Sequence, residues 1–123
     1  MIRHIVLVQV PYHADRTETE AVFLGMQEIA ASIKGMLGFA GGRNLDKDGL
    51  HQGFTHAFTI DFAGIDARDD YVANLEHNQI GHRLAKLAQG GLGGIMVMNI
   101  DIDEISAPGP KNKKLRKLQA FWG

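Results

Sequence analysis

A chain of 123 residues with 45% apolar and 22% charged content has material for one hydrophobic core and not for two. It has no cysteine, which excludes a disulfide framework and thiolate chemistry, and its first apolar run, residues 5–8, is too short for an export signal or a membrane span. A cytoplasmic location without membrane insertion is therefore expected.

The net charge of −1 conceals an uneven distribution, because Lys111, Lys113, Lys114, Arg116 and Lys117 crowd the last segment. Without these five the first 106 residues carry −6, so the body repels phosphate and nucleic-acid binding by the whole domain is disfavoured. The organisation expected is a domain over residues 1–106 and a basic tail over 107–123. Solubilisation is the simplest role for the tail, although Leu115, Leu118, Phe121 and Trp122 also form an apolar stripe that a docked helix or hook would use.

In chain order, residues 2–10 are rich in β-branched side chains and stop at Pro11, which reads as a strand. From Asp15 to Ile33 the positions Val22, Phe23, Met26, Ile29, Ala30 and Ile33 recur at helical spacing behind Thr17 and Glu20, a capping pair. The glycine-laden stretch that follows predicts a short, bulged strand near residues 39–44. Residues 53–62 alternate cleanly and predict a third strand, with Phe54, His56, Phe58, Ile60 and Phe62 on one side. Two helical pieces over 67–75 and 79–89, a glycine break at 90–94 and a strand over 95–102 complete the order β-α-β-β-α-β. That order predicts an α+β, ferredoxin-like fold with one four-stranded antiparallel sheet.

Both sides of this sheet are apolar. Ile5 and Leu7 oppose His4, Val6 and Val8 in the first strand, and Ile95 and Val97 oppose Met96, Met98 and Ile100 in the last. Two helical regions cover one face, so the other requires a partner, and a face-to-face homodimer is expected. His4, Val6, Val8, His56 and Phe58 share one parity, which is expected to turn towards the second copy.

The segments HIVLV at 4–8, GGRN at 41–44 and GFTHAFTIDF at 53–62, with Tyr71 followed by His77, resemble the stress-responsive A/B barrel (Dabb) family of dimeric α/β barrels. The resemblance spans about residues 2–103. One branch of that family holds a plant polyketide cyclase that makes olivetolic acid, while most members have no assigned reaction. By this resemblance His77 would act as a general base steadied by Tyr71, and His4 and His56 would line the pocket. The family's His-Pro-x-His pattern is replaced here by Asn74-Leu75-Glu76-His77.

The residues also support a pocket on their own terms. A neutral imidazole accepts a proton near neutral pH, and two histidines on one apolar sheet face, with His77 nearby, form a concave site with a few polar groups. Val6, Val8, Phe23 and Phe58 are expected as its walls beside His4 and His56. Each histidine taken singly also fits a hydrogen-bonded core role, and Tyr71 a packing role. His77 and His82 are five residues apart and cannot address one ion from a regular helix, and the glycine stretches lack the lysine of a phosphate loop, so neither metal nor cofactor is expected; a metal site from His4, His56 and His77 is the lesser alternative, without an evident carboxylate behind its ligands. Two functions lead, a homodimer that binds a small hydrophobic molecule without catalysis, or a cofactor-free cyclase or isomerase with His77 as base and Tyr71 as its support; binding of an anionic partner by the basic tail is a third.

Overall fold

The structure, a computed structural model, describes residues 1–102; the tail over 107–123, and the docked stripe read from it, lie outside the described residues. The elements are β1 (Ile2–Val8), α1 (Arg16–Ala31), β2 (Met36–Arg43), β3 (His56–Phe62), α2 (Ile65–Ala73), α3 (Leu75–Leu87) and β4 (Ile95–Asp101), with a 3-10 turn at Gly91–Gly94 before β4. The four strands form one sheet in the order β2-β3-β1-β4, antiparallel at every pairing. This is the ferredoxin-like arrangement that the order of elements predicts.

Local chemistry sets the boundaries. The helix α1 begins at Arg16, ahead of where a Thr17 cap would place it, because the Asp15 carboxylate accepts the Thr17 N–H at 2.9 Å and caps the helix itself. The bulge expected in the second strand is a register shift between Met36 and Gly38. The third strand starts at His56 rather than at 53, since Gln52 (φ 53°) and Gly53 (φ 84°) turn the chain just before it. Gly25 sits where α1 crosses α3, and a Cβ there would lie 2.7 Å from Ile80 Cδ1, so the end of the Ile80 side chain fills the space that the glycine leaves.

The parity of the sheet is the reverse of the sequence-based expectation. His4, Val6, Val8, Phe58, Ile60 and Phe62 are buried inside one subunit against Val22, Met26, Ile29, Ala30, Tyr71, Ile80 and Leu84. They face the helices, not a second copy. Alternation alone leaves this choice open when both sides are apolar, and the packing of α1, α2 and α3 decides it.

The opposite face carries Ile5, Leu7, Ala57, Thr59, Met96, Met98 and Ile100, brought side by side by the pairings Ile5↔Met98, Leu7↔Met96, Ile5↔Thr59 and Leu7↔Ala57. In the single subunit Met96, Met98 and Ile100 are exposed. Arg3 and Asp61 close one end of this face through a two-pronged ion pair at 2.8 and 3.1 Å. No helix among the described residues is long and apolar enough to cross a membrane.

Candidate functional site

Asn74 builds the centre of the site. It is extended (φ −66°, ψ 132°), its N–H closes α2 on the Tyr71 carbonyl at 3.2 Å, and its side-chain Oδ1 accepts the His77 N–H at 3.1 Å to open α3. The two helical pieces are thus separated by this single residue. Tyr71 falls in the last turn of α2 and His77 in the first turn of α3, and their rings meet at a centroid distance of 4.4 Å. The asparagine that replaces the first histidine of the family pattern therefore joins two helices and sets the pair of rings.

β1 supplies the third ring. His4 lies 5.7 Å from Tyr71, edge to face, and its Nδ1 shares a 2.8 Å hydrogen bond with Asn99 Oδ1 from the neighbouring β4. Because an amide oxygen only accepts, Nδ1 of His4 carries the proton in this arrangement and Nε2 is left as an acceptor. Tyr71 is fully buried, and its hydroxyl donates to Met26 Sδ at 3.3 Å, a weak acceptor for a phenol. His77 Nδ1 is buried, and no hydrogen bond of ordinary geometry reaches it.

Burial governs the protonation of the cluster. It lowers the pKa of His4, with Arg68 acting the same way and the Asn99 bond opposing. Burial also lowers that of His77, helped by the proximity of His4 and opposed by hydrogen bonding to the Val72 backbone and the Asn78 side chain. Burial raises the Tyr71 phenol far above its usual range. At neutral pH the cluster is therefore two neutral imidazoles around a protonated phenol, a set able to accept a proton at one atom and donate one at another.

The remaining residues singled out in the sequence fall into two places. Val6, Val8 and Phe58 are packed core side chains. His56 and Phe23 lie together, with ring centroids 5.5 Å apart, at the far end of the same sheet face, where they line an open cleft of about 1070 Å³. His56 Nδ1 shares a 2.8 Å hydrogen bond with Thr55 Oγ1, and burial, then Arg43, lower its pKa. His4 pairs with Ile60, four residues along β3 from His56, which separates the two histidines by roughly 13 Å at ~3.3 Å per residue. The structure thus groups His4, Tyr71 and His77 and sets His56 and Phe23 apart. No three metal-ligating side chains converge among the described residues.

Sequence reasoning missed Asn99 and Asn74. Asn99 had a usable signal, a polar residue at the parity of Ile95 and Val97 in an otherwise apolar strand, which becomes informative once its antiparallel pairing with His4 is known. Asn74 had one too, since Asn followed three residues later by a helical position is a capping pattern.

The fold and the buried ring cluster define a class of protein: a small ferredoxin-like α+β domain with one sheet face packed on helices and the other bare and apolar. Residues 2–102 match the model of the Stress Responsive A/B Barrel Domain, and the chain belongs to that family. It is similar to the stress-response A/B barrel domain-containing protein HS1 of Arabidopsis thaliana, at 24% identity over 105 residues that cover 85% of this chain and 93% of that protein. Among solved structures it is similar to a dimeric ferredoxin-like protein of unknown function from Jannaschia sp. CCS1, with a TM-score of 0.74 and 20% identity over 81% of this chain and 97% of that one. It is also similar to the hydroxynitrile lyase of Passiflora edulis, with a TM-score of 0.72 and 16% identity over 89% of this chain and 96% of that one.

Proposed function

We propose that the protein is a homodimer that binds a small apolar, carbonyl-bearing molecule at the His4–Tyr71–His77 cluster. The observation that carries this reading is the buried His77 Nδ1, which no hydrogen bond of ordinary geometry reaches, beside a phenol bonded only to a thioether. A polar atom kept in that state costs about 1–3 kcal/mol, and a ligand oxygen or hydroxyl removes the cost. The bare sheet face supports the homodimer, as does the dimeric state of the Jannaschia neighbour. Acetophenone is a suitable probe, followed through the imidazole resonances by NMR. Saturable shifts at His77 and His4, absent in a folded His77→Ala variant, are expected; an unmoved His77 up to the solubility limit of the probe overturns the reading.

Catalysis is a second reading, favoured by the neutral state of His77 and its 4.4 Å approach to Tyr71. In it His77 takes a proton from the carbon next to the carbonyl while Tyr71 hydrogen-bonds the oxygen, the first step of a cofactor-free cyclisation or isomerisation. A fold shared with a hydroxynitrile lyase accommodates enzyme chemistry. The test is exchange of the acetophenone methyl protons in D₂O. Exchange faster than in buffer and lost in His77→Ala is the expected result, and exchange at the buffer rate sinks this second reading while leaving the first.

A further inference from the structure

We propose that the cleft at the Phe23 and His56 end of the subunit is a second binding site, for an amphipathic carboxylate whose apolar body lies on Phe23 and Phe54 and whose head group meets Arg43 and Lys47. The site is separate from the His77 cluster, and its existence does not depend on what that cluster binds.

The cleft runs between the segment that follows β1 and the loop that joins β2 to β3, and its volume of about 1070 Å³ is ample for a molecule of drug-like size. Val10, Phe23 and Phe54, all half-buried, give it an apolar floor. Its charges do not balance. Of the two carboxylates that line it, Glu20 is held by Arg16 at 3.0 Å, and Asp46 is used inside the loop, where it accepts the N–H groups of Asp48 and Leu50 at 3.2 Å each. Arg43 and Lys47 line the same cleft and have no carboxylate partner among the described residues.

Two cations over an apolar floor attract an anion with a greasy body, and the guanidinium of Arg43 offers the fork that a carboxylate matches. His51 adds a donor: its Nδ1 accepts the Gly53 N–H at 2.9 Å, so the neutral ring keeps its proton on Nε2. His56 reports occupancy. Its pKa is held down by burial and then by Arg43, and a carboxylate placed beside Arg43 raises it.

Octanoate, octan-1-ol and inorganic phosphate, titrated separately into the full chain and followed at His56 by NMR, test the proposal. Octanoate is expected to bind saturably, to raise the His56 pKa and to weaken as salt rises. Binding is expected to fall by about tenfold or more in the Arg43→Gln/Lys47→Gln double variant, whose changes are on the surface, and to be unchanged in His77→Ala. Equal binding of octan-1-ol would overturn the carboxylate, and phosphate binding as tightly as octanoate would overturn the apolar floor. Wild-type affinity in the double variant would remove the assigned head-group site. Loss of octanoate binding in a folded His77→Ala protein would contradict a separate site while leaving the role of His77 standing.

Discussion

Replacing Tyr71 with phenylalanine separates packing from chemistry at the centre of the cluster. The ring of Tyr71 is fully buried and touches His77 at 4.4 Å, Phe62 at 5.5 Å and His4 at 5.7 Å, and all of this contact survives the change. What is lost is one O–H donated to Met26 Sδ at 3.3 Å. A thioether is a weak acceptor, so the loss falls at the lower end of the ~0.5–1.5 kcal/mol that a buried hydrogen bond contributes, and the cost of burying the hydroxyl disappears with it. The melting temperature should move by less than about 5 °C in a domain of this size, against a loss of about 3–5 kcal/mol for Tyr71→Ala, which empties the core. If the hydroxyl meets the ligand, the same Tyr71→Phe protein should bind acetophenone about tenfold more weakly. Urea unfolding by circular dichroism and the NMR titration, run on one sample, give both numbers. A loss above about 2 kcal/mol with unchanged affinity would refute the assignment and make the phenol a structural group.

Three further outcomes follow from the same contacts. His4, His56 and His77 titrate near 6.5 in an unfolded chain and lower in the fold, so the unfolded state binds more protons in acid; stability should be complete above about pH 6.5 and fall as pH drops towards the folded values, which urea titrations across pH 7.5 to 4.5 will show. Gly25→Leu should cost about 1–3 kcal/mol by overpacking the α1–α3 crossing at Ile80, whereas Gly25→Ala should be closer to neutral because only the mobile end of Ile80 must move. Asp15→Ala should cost about 1 kcal/mol, as the N–H of Thr17 loses its acceptor, and thermal melts are sufficient to measure it.

Much of the fold is legible in the chain. Alternation from His56 to Phe62 marks β3, helical spacing from Val22 to Ile29 marks α1, and the element order gives the sheet. The direction in which the sheet faces is not legible, because Val6 and Val8 are no more apolar than Ile5 and Leu7, and only the docking of α1, α2 and α3 distinguishes them. For the same reason the histidines that sequence reasoning turned towards a second copy lie inside one subunit. The Tyr71 and His77 pair is visible as a spacing, but its closeness is not, since it depends on one extended residue, Asn74, between two helices. The separation of His56 from His4 follows from register, which is a long-range property of strand pairing.

The proposed homodimer requires the bare face of Ile5, Leu7, Met96, Met98 and Ile100 to be covered by the same face of a second chain, an interface expected to bury roughly 800 Å² per subunit. Sedimentation velocity at micromolar concentration measures this directly. One species at twice the 13.5 kDa chain mass is expected, converted to monomer by Met98→Glu. A wild-type protein that sediments as a folded 13.5 kDa monomer would contradict it.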